Sequence, residues 1–78
     1  MLGTFFSAVA FLGANAVAEA LKALQQAYAS NPNAVSDIRH LLNQHHYQQA
    51  AQAMENLAPQ CATNVGKALQ EAAKHLRS

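Results

Sequence analysis

Residues 15–42 read NAVAEALKALQQAYASNPNAVSDIRHLL and contain two helical patterns separated by one break. Pro32 disfavours helical backbone at Asn31, so a first helix must end by that point, and Pro32 itself suits the first position of a second helix. Before the break, apolar residues recur at spacings of three and four, which predicts that they share one face of an α-helix. These residues are Phe6, Ala10, Gly13, Val17, Leu21, Leu24 and Tyr28.

The same spacing continues to the end of the chain. The expected helices cover about residues 4–29, 32–44, 47–58 and, from Gln60 or Thr63, to Leu76. Composition agrees, because Ala, Leu, Gln and Glu favour helices, and three Gly and two Pro are too few for a turn-rich β-sandwich. The predicted fold is all-α in one domain over residues 1–78. It is a small bundle of three to four helices with a long first helix, or a long hairpin with a bent second arm.

The predicted core draws large apolar side chains from all four helices. Its members are Val17, Leu21, Leu24, Ile38, Leu41, Met54, Leu57, Val65 and Leu69. A domain this small buries only about 60% of the surface that its unfolded chain exposes. Hydrophobic residues make up 51% of the chain, which is more than such a core holds. The sequence therefore predicts a partner, either a second copy of the chain or another protein.

Residues 1–18 contain no charged side chain. A signal peptide would explain the apolar run and the small residues at 16–18, although the basic region that usually begins such peptides is missing. A membrane span needs about 20 apolar residues, and this run is shorter and includes Gly13 and Asn15. We favour a helix that is buried or that binds a partner. The predicted interface residues are Phe5, Phe6, Val9, Phe11 and Leu12.

The charge of the chain is low. Charged residues make up 12% of it, and the formal net charge is +1. Nucleic-acid binding usually requires a basic face with many phosphate contacts, so no nucleic-acid partner is expected. Weakly charged surfaces repel one another little, which favours a homo-oligomer.

Four histidines are the most conspicuous set of residues that could carry chemistry. They are His40, His45, His46 and His75. A metal site on one helix uses ligands four residues apart, whereas His40 and His45 are five apart and His46 follows at once. No metal site is therefore predicted. A solvated boundary between two helices is the favoured interpretation, and a pH-sensitive contact stays open.

No catalytic residues and no cofactor are predicted. The acidic residues are Glu19, Asp37, Glu55 and Glu71, one on each expected helix. Acid–base catalysis would need the fold to bring two of them together. Cys61 is the single cysteine, so it cannot form an intramolecular disulfide. It is expected to be a buried, small hydrophobic residue or a thiol kept reduced, with intermolecular pairing or a reactive thiol as the alternatives.

Three stretches of the chain resemble a known family. They read ANAVAEALKAL (14–24), SNPNAVSDIRHLL (30–42) and YQQAAQAMENLAPQ (47–60). They resemble the α-helical region that precedes the translocator barrel of bacterial autotransporters. The matching residues are Asn15, Val17, Ala18, Ala20, Leu21, Leu41, Leu42, Ala53, Met54, Leu57, Ala58 and Pro59. This resemblance implies a non-enzymatic helical support or linker element at the cell envelope.

A second resemblance is to the subunits of type III secretion needles, which form two helices around a polar turn that contains Pro. Residues 31–33 match that turn, and Pro59 departs from the pattern. The resemblance implies a secretion-associated subunit that assembles with copies of itself.

Together these features predict a non-catalytic helical interaction or assembly module that self-associates or binds a protein partner. One alternative is a membrane-surface protein that uses residues 1–18, and another is a secretion-associated helical subunit. We expect no enzymatic activity. The location, in the cytoplasm or at a bacterial cell envelope, stays open.

Overall fold

The computed structural model describes residues 2–78, with side chains described from Asn15 onward. Four α-helices and one 3₁₀ turn follow one another along the chain. They are α1 (Leu2–Ala27), α2 (Pro32–Asn43), α3 (Tyr47–Leu57), the 3₁₀ turn (Ala58–Gln60) and α4 (Thr63–Arg77). The described part of the chain has no β-strand. The predicted all-α bundle is therefore confirmed.

The prediction of a long first helix is not borne out in the described core, although α1 as a whole runs over 26 residues from Leu2 to Ala27. The part of α1 with described side chains is residues 15–27, which is about 13 residues. That is close to the 12, 11 and 15 residues of α2, α3 and α4. The predicted length of the helix depended on the uncharged residues before Asn15. The side chains described for α1 begin at Asn15. Four segments of similar length thus build the described core.

The chain reverses between α1 and α2 at the predicted break. The N–H of Asn31 donates to Ala27 O at 3.0 Å, and Asn31 O accepts the N–H of Val35 at 3.1 Å. Pro32 occupies the start of α2, as predicted. The side chain of Asn31 does not cap α2. Its Nδ2 instead donates to Ser30 Oγ at 3.1 Å and lies 3.8 Å from Cys61 Sγ, which connects this turn to the start of α4.

Helix α2 ends in a Schellman motif that reverses the chain into α3. The N–H of His46 donates to Leu41 O at 2.9 Å, and the N–H of His45 donates to Leu42 O at 3.1 Å. His45 has φ 62°, in the left-handed region where glycine is the usual residue. Its Nδ1 shares a hydrogen bond of 2.8 Å with the hydroxyl of Tyr47. A histidine thus ends this helix without the glycine that normally marks such a turn.

The core is built largely from alanine. Fifteen hydrophobic residues are buried in the described part of the chain, and eight of them are alanine. The core residues are Ala20, Ala23, Leu24, Ala27, Val35, Ile38, Leu42, Ala50, Ala51, Met54, Leu57, Ala58, Leu69, Ala72 and Ala73. Short side chains let helix axes approach closely. The close packing of α4 on α1 and α3 is the result.

The predicted core is only partly correct. The buried predicted residues are Leu24, Ile38, Met54, Leu57 and Leu69, and the half-buried ones are Val17, Leu41 and Val65. Leu21 is 38% exposed, and Tyr28, from the same predicted face, is 50% exposed. Helix α1 instead buries a face marked by Ala20, Ala23 and Ala27, because the small side chains fit against the neighbouring helices.

Gly66 marks a close approach between the start of α4 and the 3₁₀ turn that follows α3. A Cβ at this position would lie 2.7 Å from the carbonyl oxygen of Ala58. That oxygen also accepts the N–H of Cys61 at 3.1 Å, so it cannot move without disturbing the turn. The absence of a side chain at Gly66 is therefore a packing requirement.

We expect His45→Gly to be more stable than His45→Ala by about 1 kcal/mol. Both substitutions remove the contact with Tyr47, but only alanine keeps a Cβ in left-handed backbone. Urea unfolding of both variants measures the difference. Equal stabilities would show that the turn is not left-handed in solution.

We expect Gly66→Ala to lower the free energy of unfolding by about 1–3 kcal/mol, because the added methyl overpacks against the Ala58 carbonyl. The better helix propensity of alanine offsets part of that cost. Gln70→Ala, at an exposed site on the same helix, is the control and should change stability by about 0.5 kcal/mol or less. A Gly66→Ala variant as stable as this control would contradict the close approach.

Candidate functional site

An open groove of about 800 Å³ lies between α1 and the C-terminal half of α2. The groove is present because α1 packs much less extensively on α2 than on α4. One wall comes from α1 and the other from α2. The polar and apolar lining includes Asn15, Leu21, Lys22 and Gln25 on α1, and Arg39 and Asn43 on α2.

Arg39 lines the groove and has a buried polar atom without a hydrogen bond. Its Nε is buried and has no hydrogen-bond partner among the described residues. Burying an N–H without an acceptor costs about 1–3 kcal/mol, and more for a charged group. Arg39 is half-buried overall, so its guanidinium remains accessible from the groove. The Nε itself is closed to solvent, so it marks an uncompensated cost of burial at this position.

Glu19 also lines the groove, but its carboxylate is already engaged. Its Oε2 accepts a hydrogen bond from His75 Nδ1 on α4 at 2.6 Å. The second ion pair in the described part of the chain joins Glu55 of α3 to Arg77 of α4. Neither pair includes Lys22 or Arg39. The charged side chains that line the groove are thus Lys22, Arg39 and Glu19.

Two large apolar side chains lie on the surface of α1 beside this groove. Leu21 and Tyr28 are seven residues apart, which places them on the same side of the helix. Their exposed fractions are 38% and 50%. Val17, on the same side, is half-buried. We call Val17, Leu21 and Tyr28 the apolar stripe of α1.

The predicted interface falls outside the described side chains. Its residues are Phe5, Phe6, Val9, Phe11 and Leu12, all before Asn15. That interface stays a prediction. The sequence did not indicate the groove, because its lining comes from two helices and no local spacing joins them.

The histidines have different environments. His40, His45 and His46 are exposed around the end of α2, and His75 pairs with Glu19 of α1. His45 makes an edge-to-face contact with the ring of Tyr47, with centroids 5.7 Å apart. Across the described residues, no group of three His, Cys, Asp or Glu side chains is placed to hold a metal ion.

Cys61 is a half-buried free thiol between the 3₁₀ turn and α4. Its Sγ donates to Leu57 O at 3.6 Å and lies near Asn31 Nδ2. These contacts connect the α1–α2 turn to the end of α3. Cys61 thus helps to pack that end of the bundle.

No family model, curated protein or solved structure matches the chain. The resemblances to autotransporter helices and to secretion needles therefore stay predictions. Within the described residues, no helix has both the length and the apolar character that a membrane crossing requires.

We expect Arg39→Met to leave the free energy of unfolding unchanged or to raise it by up to about 1 kcal/mol, because the substitution removes a buried N–H that lacks an acceptor. Arg77→Met is the control. It removes the contacts with Glu55 and Gln52 and should lower stability by up to about 1 kcal/mol. Urea unfolding compares the two variants. A larger loss at Arg39 than at Arg77 would show that Arg39 stabilises the fold.

Proposed function

We propose that this chain is a non-catalytic helical interaction module that assembles with copies of itself through α1. The observation that carries the proposal is the apolar stripe, where Leu21 and Tyr28 still expose 38% and 50% of their surface. Surface apolar groups aligned along one helix are typical of a helix–helix contact. The predicted interface at residues 5–12 belongs to the same helix and would extend that contact toward its N-terminal end.

The composition of the core supports the need for such a contact. An alanine side chain buries far less apolar area than leucine or phenylalanine, and hydrophobic stabilisation follows the area removed from water. Eight alanines among the fifteen core residues described give a small driving force for a chain of 78 residues. Assembly through α1 would add apolar burial that the single chain lacks.

Binding rather than catalysis is the activity that these residues support best. Glu19 and Glu55 are engaged in ion pairs with His75 and Arg77. The thiol of Cys61 donates to a backbone oxygen. These groups are thus used in holding helices together.

The solution mass of the full chain, measured by light scattering after size exclusion without detergent, tests the proposal. We expect a dimer or a larger closed species. The double variant Leu21→Gln with Tyr28→Gln should weaken association by about tenfold, because burying the surface that the two side chains still expose contributes about 1.4 kcal/mol together.

Gln26→Ala is the matched control, since Gln26 is exposed on another side of the same helix. It should leave the mass unchanged. A folded monomer at every concentration would rule out self-assembly. Binding of that monomer to lipid vesicles would then favour the membrane-surface alternative.

A further inference from the structure

We propose that a membrane-bound peptidase cuts this chain between Ala18 and Glu19, which removes an apolar leader and releases the helical bundle as residues 19–78. The reaction is hydrolysis. Water adds across the peptide bond, whose C–N bond breaks to leave a carboxylate on Ala18 and an ammonium group on Glu19. This site goes beyond the proposed self-assembly, and the two are separable because the product keeps Leu21 and Tyr28.

The sequence before Glu19 has two features that suit such a peptidase. Residues 5–12, FFSAVAFL, form an apolar run whose length is within the range of about 7–15 residues found in export leaders. Ala16 and Ala18 then place alanine at the third and first positions before the bond, where these peptidases accept small side chains. Glu19 is the first charged residue in the sequence, so the cut would separate an uncharged segment from every charged side chain.

The packed core begins at the same place. From Asn15 to Glu19 every side chain is exposed or half-buried, and Ala18 itself is exposed. Ala20, the second residue of the product, is the first buried side chain in the described part of α1 and is 0% exposed. The fifteen core residues described all stay in the product. A cut before Glu19 therefore removes no side chain from the described core.

Glu19 is suited to be the first residue of the product. Its Oε2 accepts a hydrogen bond from His75 Nδ1 at 2.6 Å, which would hold the new end of α1 against α4. The first turn of α1 as it runs from Leu2 contains no acidic residue. A helix that starts at Glu19 has a carboxylate in its first turn, where it interacts favourably with the helix dipole.

The helical state of the cut site determines when the reaction can occur. Helix α1 continues through Ala18 and Glu19 in the folded chain, so the bond between them lies inside a helix. Proteolysis of folded protein acts on the opened state of the chain. We therefore expect the cut to take place during export, before α1 has folded.

The sequence departs from the usual leader in one respect, because no Lys or Arg occurs before Lys22. Basic residues set the orientation of an apolar segment at a membrane. The peptidase instead reads the small side chains beside the bond. The missing charges thus affect how well the leader is oriented, and not which bond is cut.

The test is expression of the chain 1–78, with a C-terminal affinity tag, in a bacterium that has an intact export pathway. Intact mass and N-terminal sequencing then identify the isolated protein. We expect a product that begins at Glu19. Cell-free synthesis without membranes should yield a chain that keeps residues 1–18, because the peptidase is absent.

Two variants locate the cut. Ala18→Leu places a large side chain next to the bond and should cause loss of the product that begins at Glu19. Because Ala18 is exposed, leucine at this position leaves the core unchanged. Ala14→Leu is the matched control, since it makes the same change outside the two positions that the peptidase reads. Its product should be identical to that of the unaltered chain.

Isolation of the uncut chain from the cells, a product that starts elsewhere, or equal processing of Ala18→Leu would overturn the proposal. A product that does not unfold cooperatively in urea would do the same, since the core would then need residues 1–18. Uncut protein that binds lipid vesicles would favour the membrane-surface alternative instead.

Light scattering on the isolated protein separates this site from self-assembly. A monomeric product that begins at Glu19 keeps the cut and rejects assembly through Leu21 and Tyr28. An uncut chain that forms a dimer or a larger closed species does the reverse.

Discussion

The close packing of α4 on α1 and α3 is the constraint on which the other features of the bundle depend. Helix α4 buries Gly66, Leu69, Ala72 and Ala73, and at Gly66 even a methyl group would meet the Ala58 carbonyl. Where α1 packs on the bundle, it buries the face that carries Ala20, Ala23 and Ala27. Leu21 and Tyr28 lie off that face and stay partly exposed. Helix α2, held less closely by α1, leaves the groove beside them.

This constraint explains which parts of the fold the sequence could predict. The end of α1 and the start of α2 follow from Pro32, whose effect on backbone is local, and these bounds were predicted to within two residues. Which face of α1 is buried depends on α4, a helix that is distant in the sequence. Apolar periodicity favours large side chains such as Leu21, whereas this core selects small ones. The left-handed turn at His45 was missed for a similar reason, since no glycine signals it.

The groove was beyond local sequence reasoning for a different reason. Lys22 and Arg39 belong to separate helices, and nothing in the spacing of either helix indicates that they line one groove. What the structure adds is an energetic observation: the buried Nε of Arg39 has no acceptor among the described residues.

The alanine-rich core also has a thermal consequence. The heat-capacity change of unfolding grows with the apolar area exposed, and alanines contribute little area each. A small heat-capacity change makes the curve of stability against temperature broad and shallow. The free energy of unfolding would then fall only slowly on cooling, although its maximum is modest. Its unfolding in urea would also be gradual, because the dependence on denaturant follows the same exposed surface.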